Sequence, residues 1–383
     1  MKAVVLSGGG SKGSYQIGVW KALKKLHISY DIVTGTSVGA LNGALMVQNK
    51  FHKAMKLWKS INMNLLFGDI APDSSKMKDI INMYCNNFIK NGGMDVEVLE
   101  ELISKCIDSD SFYSSNIDYG LVTVNLSGKK AVQLRKSKIP KDKLVDYLMA
   151  SASCYPAFQK KDIDGKKFID GGMFDNLPIN LAIEMGADEV IAVDLKAPGV
   201  KQRVKKKVPT ITIKPNNKLT NFLNFNKEGS KRNILFGYYD TMKVFDRYYG
   251  KKYTFKKKKY DYFNSEYQEI FIHKTNEILN TKALLKIFSF DFFDLSSLFL
   301  KLTEDLGKLF DMEEAKLYKY RSFHKKILRQ INKKNRKYTR SQNNTIFIYN
   351  KIKANDLKYL RTKAVLTPKE FVLALFLYVI SEV

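Results

Sequence analysis

Positions 3–6 of the chain are continuously apolar and run straight into a stretch of glycine. A short apolar run that ends in turn residues reads as a buried strand. Over residues 14–26 the pattern changes. Tyr15, Val19, Ala22, Leu23 and Leu26 recur at three and four, the spacing of a helix with one apolar face. Residues 31–34 form a second short strand and 38–47 a second helix, joined by a glycine-bounded turn. Strand, helix, strand, helix is the opening of a parallel sheet with helices packed on it, an α/β architecture. Residues 50–117 are mostly helical, with segments near 55–66, 75–88 and 96–106. A strand over 117–125 then turns at Ser127-Gly128 into 131–134, which predicts a hairpin. Residues 141–150 are helical, and Asp164-Gly165 turns the chain into a strand, 167–169, that delivers Asp170. A short helix at 181–185, strands at 190–193 and 209–214, and a long helix over 227–249 follow. Past about residue 255 the segments are helical and rich in Lys, Phe and Tyr. The expectation is a first domain over residues 1–250 and a basic, mainly helical extension over 251–383.

Charge sharpens that division. The chain has 383 residues, is 45% hydrophobic and carries a net charge of +27. Residues 1–200 hold 25 Lys and Arg against 21 Asp and Glu, whereas residues 201–383 hold 40 against 17. A basic half implies an anionic partner: a lipid surface, nucleic acid or an acidic protein. The abundance of Lys, Asn, Ile and Tyr is also what an AT-rich genome would encode. Lys256-Lys257-Lys258-Lys259 stands between Phe255 and Tyr260, and nine further cations fall in residues 321–340. They suit an anionic membrane face, each near-surface cation contributing about 1 kcal/mol. No named nucleic-acid motif accompanies them, so peripheral membrane contact is favoured over nucleic acid. A solvated helix face would read the same way.

Thr367-Pro368-Lys369-Glu370 predicts a capping box with proline at the first helical position. The apolar run behind it, 371–380, is too short to span a bilayer; it reads as core, or as a face that enters a membrane surface or a partner groove, and the Phe-rich stretch 287–302 reads in the same two ways. The apolar start is too short for a secretion signal. Cys85, Cys106 and Cys154 have no metal-ligand spacing and read as reduced, small buried side chains. Together these point to a cytoplasmic chain that is peripheral at a membrane and needs no cofactor or metal.

Three constellations carry chemistry. Gly35-Thr36-Ser37-Val38-Gly39 is a G-x-S-x-G between a strand and an apolar helix. A serine on so tight a turn is presented at the strand's C-terminal end, and the next helix aims its first amides at a developing oxyanion. Gly8-Gly9-Gly10-Ser11-Lys12-Gly13 also follows a strand and precedes a helix. It reads either as a dinucleotide fingerprint or as an oxyanion hole. The context favours the second. The dinucleotide reading wants an acid closing the next strand, whereas Asp31 opens it. A P-loop would place Lys after the last glycine, and Lys12 precedes Gly13. The third is Asp170-Gly171-Gly172, a carboxylate at a strand end followed by two residues without side chains. It suits an acid exposed at a sheet edge with room for a substrate beside it.

These three motifs, in this order, resemble the patatin-like phospholipases: a glycine-rich oxyanion loop, then G-x-S-x-G, then D-G-[AG]. Ala150-Ser151-Ala152-Ser153 with Pro156 and Phe158, Asp175-Asn176-Leu177-Pro178 and Gly237-Tyr238-Tyr239-Asp240 agree. The similarity covers residues 1 to about 250. It implies a three-layer α/β/α fold with a mostly parallel central sheet, and a Ser–Asp dyad without histidine. Ser37 would be the nucleophile and Asp170 its base. Gly8, Gly9, Gly10 and Val38 would supply oxyanion donors. Gly13, Gly35, Gly39, Gly171 and Gly172 would shape the turns, and Lys12 would hold the loop or meet a lipid phosphate. None of His27, His52, His273 and His324 stands where a triad would want it, although a distant histidine could fold back. The implied activity is hydrolysis of a lipid ester, of the phospholipase A or lysophospholipase type. An acyltransferase or thioesterase with the same dyad, or a non-catalytic lipid-binding module, is the alternative.

Overall fold

Two apolar pentapeptides set the frame. In the computed structural model, which describes residues 1–72, 76–128, 130–258, 260–279, 294–332 and 338–383, strand β1 (Lys2–Leu6) lies parallel to β2 (Ile32–Thr36). Ala3 faces Ile32 and Leu6 faces Gly35 across the ladder. β3 (Asp118–Asn125) continues the parallel set beyond β2. β7 (Glu189–Val193) and β8 (Thr210–Ile213) extend it, also parallel, on the other side of β1. β4 (Lys130–Arg135) is the hairpin partner of β3. β5 (Lys161–Ile163) and β6 (Lys166–Asp170) complete an eight-stranded, mostly parallel sheet of order β5-β6-β3-β2-β1-β7-β8, with β6 antiparallel to β3.

Both faces of the sheet are covered, which is why its central strands lack polar alternation. Ala3, Val5, Ile32, Val122, Val190 and Ala192 share one face with Leu181, Ala182 and Met185. The last three belong to or directly follow α9 (Ile179–Glu184). On the other face α2 (Val38–Val47) approaches so closely that a Cβ on Gly43 would lie 3.0 Å from Val33 and 3.2 Å from Tyr119. α1 (Ser14–Lys25) and α10 (Lys227–Val244) cross in mutual contact at two glycines. A Cβ on Gly18 would sit 2.0 Å from the Ile234 carbonyl, and one on Gly237 would sit 2.0 Å from that of Tyr15. The Tyr15 hydroxyl donates to Asp240 across the same crossing at 3.0 Å. The result is a three-layer α/β/α unit with a mainly helical C-terminal part.

The chain divides into two compact units, Met1–Val244 and Phe245–Val383. In the second, α13 (Tyr320–Ile331), α14 (Arg340–Lys353), α15 (Leu357–Leu366) and α16 (Pro368–Glu382) share a core with α11 (Tyr260–Ile278) and α12 (Leu295–Leu309). α16 buries Phe371, Leu375, Phe376, Leu377 and Val379 in that core. Among the described residues, no helix is long and apolar enough to cross a membrane.

Four expectations are corrected by local chemistry. The helix expected over 55–66 is two, α3 (Phe51–Ser60) and α4 (Met63–Phe67), because the Asn62 side chain accepts from Leu65 N–H at 2.8 Å and starts a new helix. α10 stops at Val244 instead of 249. Asp246 turns with φ 53°, and Tyr248–Tyr249 becomes a strand (β9) paired with β10 (Thr254–Lys256), which in turn pairs with β11 (Leu317–Tyr318). The capping box at Thr367 does not form, since its hydroxyl donates to the Lys363 carbonyl of α15 at 3.3 Å. A capping box exists instead at Thr339 and Gln342. Finally, Cys85 is exposed and Cys106 and Cys154 are only half-buried. The aromatic positions 287–293, together with Lys259, Lys333, Lys334, Arg336 and Lys337, lie outside the described residues.

Candidate active site

β1 and β2 are adjacent and parallel, so the loops at their C-terminal ends meet at one edge of the sheet. After β2 the chain reverses at Ser37, with φ 58° and ψ −130°, and enters α2. A side chain at positive φ costs energy and holds only where neighbours fix it. Here they do. Ser37 N–H donates to Ser151 Oγ at 2.9 Å, and Ser151 Oγ donates to the Val122 carbonyl of β3 at 2.7 Å. Close packing finishes the turn. A Cβ on Gly35 would lie 2.4 Å from the Gly39 backbone, and one on Gly39 would lie 2.3 Å from the Leu6 carbonyl.

β6 brings the carboxylate to the same place from the opposite direction. Antiparallel to β3, it pairs Asp170 with Thr123, one residue beyond the Val122 that pairs with Thr36. β6 lies between β5 and β3, and Asp170 is only 7% exposed. The acid expected at an exposed sheet edge is therefore a buried one on an inner strand. Its carboxyl accepts the Gly172 N–H at 2.7 Å and faces the same cavity as the Ser37 side chain. Burial pushes its pKa from 3.8 up to about 6, against the pull of the Ser37 side chain and the Gly172 N–H. Gly171 is required for the approach, because its Cβ would meet the Val122 carbonyl at 2.1 Å. Gly172 lines the space beside the carboxylate.

The glycine loop closes the third side. Gly9 and Gly10 line a cavity together with Ser37, Val38 and Asp170. Gly8 N–H, expected as an oxyanion donor, is engaged instead with the Asn176 carbonyl at 3.1 Å. A Cβ on Gly8 would strike Asn176 Oδ1 at 2.3 Å and come within 3.0 Å of Ser37 Cβ, so this glycine sets an approach distance. Gly13 does likewise for Val38 and Trp58. Lys12 is not among the cavity-lining residues. Its Nζ donates to the Lys196 carbonyl at 3.2 Å, and burial lowers its pKa while the Asp194 charge opposes that shift. It ties the loop down.

A buried amide chain that belongs to no motif fixes both ends of the loop. Asn42 Nδ2 donates to the Gly13 carbonyl at 3.0 Å and to Gln16 Oε1 at 2.8 Å, and its Oδ1 accepts Trp58 Nε1 at 2.9 Å. Gln16 Nε2 then donates to the Ser7 carbonyl at 2.7 Å. These residues carry no local sequence signal, because their partners are brought together only by the fold. The cavity, about 200 Å³, is lined largely by apolar side chains, among them Leu41, Leu45, Trp58, Phe158, Phe222 and Phe225. Cys154 is on its wall, its thiol pushed up to about 12 by burial and by the Asp170 charge. Its lining includes no histidine; His324 is buried in the second unit between Tyr267 and Thr303. Among the described residues no group of three or more His, Cys, Asp or Glu is gathered as a metal site.

An oriented serine, a carboxylate of raised pKa and the Gly9, Gly10 and Val38 amides, which donate to no backbone carbonyl among the described residues, surround an apolar cavity and can perform acyl transfer. Residues 4–183 match the family model described as patatin-like phospholipase. The chain is 28% identical over 197 residues to patatin-like phospholipase domain-containing protein 7 of Rattus norvegicus, covering 50% of this chain and 13% of that protein. It is 27% identical over 202 residues to lysophospholipase NTE1 of Mycosarcoma maydis, covering 50% of this chain and 9% of the fungal one. The chain thus spans a small fraction of the length of these relatives. Among solved structures it is similar to VipD from Legionella pneumophila, at TM-score 0.43 and 15% identity, covering 99% of this chain and 90% of that one.

Proposed function

We propose, from the match of residues 4–183 to the patatin-like phospholipase family model, that the protein is a lipid hydrolase of that family and cleaves lipid carboxylic esters through a Ser37 acyl-enzyme, with Asp170 as base. The observation that carries the reading is the convergence of the Ser37 side chain and a buried carboxyl, whose pKa is pushed to about 6, at the wall of one apolar cavity.

Ionised Asp170 takes the proton from Ser37 Oγ as Oγ attacks the ester carbonyl carbon. The tetrahedral oxyanion is held by the N–H groups of Gly9, Gly10 and Val38. These amides have no hydrogen-bond acceptor among the described residues, whereas that of Gly8 is engaged. One such donor is typically worth about 2.7–4 kcal/mol. Collapse expels the alcohol, which leaves with the proton from Asp170. Water then gives its proton to Asp170 and attacks the acyl-enzyme, and the fatty acid departs as Ser37 recovers its proton. The apolar lining suits an acyl chain and keeps the reacting groups dry. The basic second half is proposed to hold the enzyme at anionic lipid.

Ser37→Ala should abolish release of fatty acid from a phospholipid and a lysophospholipid while leaving the circular dichroism spectrum unchanged. A fluorophosphonate probe should label the native chain and not the variant. Undiminished hydrolysis by Ser37→Ala would sink the assignment.

A further inference from the structure

The helix α5 (Met77–Asn91) has two apolar stripes where a surface helix needs one. Ile80, Met83 and Tyr84 form the buried stripe. Ile81, Cys85, Phe88 and Ile89, at i, i+4, i+7 and i+8, form a second that faces solvent. Ile81 is 47% exposed, Phe88 39% and Ile89 80%. Single exposed apolar residues are ordinary, but an aligned series on one face is not.

The stripe leads to the cavity. The Phe88 ring lies 5.7 Å from that of Tyr155, and Tyr155 lines the cavity together with Met173, itself 63% exposed. Cations stand beside it. Lys160 Nζ is 4.6 Å from the centre of the Tyr155 ring, and Lys78 lies on the stripe's own face, one turn before Ile81. Long cationic side chains around an apolar patch match a bilayer, with apolar groups among acyl chains and ammonium groups at phosphates. We propose that this stripe and the adjoining cavity rim form the surface by which the protein docks on a phospholipid bilayer. The cations beside the apolar stripe fix the choice of occupant as a phospholipid surface, and a lipid drawn from a docked bilayer along this rim enters the cavity without exposing its acyl chain to water. That last step rests on the lipid hydrolase reading above, whereas the docking itself does not.

The test compares the full chain carrying Ser37→Ala with the same chain carrying Ile81→Ser and Ile89→Ser in addition. Both are sedimented with vesicles of phosphatidylcholine and phosphatidylglycerol. These substitutions are neutral and exposed, so charge and folding stay constant. Loss of two inserted isoleucines should weaken partitioning about tenfold. In the active chain the same pair should lower hydrolysis of vesicle phospholipid by a similar factor, and change kcat/KM for a dissolved short-chain nitrophenyl ester by less than about twofold. Equal vesicle binding by the two inactive chains, or no binding by either, overturns the proposal. So does a dimer in light scattering that the substitutions dissociate, since a second copy would then cover the stripe. If the active chain hydrolyses neither ester, the enzymatic reading fails, and the sedimentation result still decides the docking.

Discussion

Ser37 and Asp170 are each held in a state that the folded protein would be more stable without. At φ 58° and ψ −130°, Ser37 occupies backbone space that glycine enters freely. Ser37→Gly should therefore be more stable than Ser37→Ala by about 1 kcal/mol, measured by urea denaturation. Both should be inactive. Asp170 titrates at about 6 instead of 3.8, so its folded state favours the neutral form. Relative to the unfolded chain, stability is lost as pH rises from about 4 through 6. Asp170→Asn should recover up to about 3 kcal/mol at pH 8 and progressively less toward pH 4, visible as a pH-dependent gain in Tm. In the proposed mechanism the same ionisation governs catalysis. Activity on a soluble ester should fall about tenfold per pH unit below 6, and Asp170→Asn should remove it. That Ser37 and Asp170 stand on turns directly after strands was legible in the sequence, because glycines bound both turns and apolar runs precede them. The engagement of Gly8 N–H by Asn176 was not legible, since its acceptor lies 168 positions away in the chain.

At the level of elements, the crossing of α1 and α10 is the most demanding contact. Gly237→Ala would place a Cβ 2.0 Å from the Tyr15 carbonyl, with backbone on both sides and nothing flexible to yield. It should destabilise the protein by about 1–3 kcal/mol, read as a lower denaturation midpoint. Thr339→Ala removes half of a formed capping box and should cost about 1 kcal/mol, whereas Thr367→Ala should cost less. The periodic elements were readable: β1, α1, β2 and α2 stand within two residues of where their apolar spacing put them. The misreadings share a cause. Asn62 starts a helix by accepting one amide, and the Thr367 hydroxyl is taken by the preceding helix. Both are single hydrogen bonds that spacing does not encode. The strands at Tyr248–Tyr249 and Leu317–Tyr318 are two residues long, too short to show a period.

Across the whole molecule the labour is divided by chemistry. The proposed dyad and the apolar cavity belong to the first unit, and the charge excess lies mostly in residues 201–383. Two kinds of lipid contact then separate experimentally. Raising salt from about 0.05 to 0.5 M should weaken vesicle binding that depends on the basic half several-fold, and leave hydrolysis of a dissolved ester unchanged. The apolar contribution of the α5 isoleucines should change little with salt, and only the smaller share of Lys78 and Lys160 beside them should weaken. The cavity wall was beyond sequence reading, because its residues run from Gly9 to Phe225 and no segment holds enough of them to signal a pocket.

The exposed stripe on α5 contains Cys85. The other two thiols are half-buried, and burial holds each in its protonated, unreactive form. A maleimide added briefly at neutral pH should therefore attach to the wild-type chain at one position. A polarity-sensitive dye placed there would brighten or shift as the face met lipid, so the protein carries its own reporter of docking and needs no engineered cysteine.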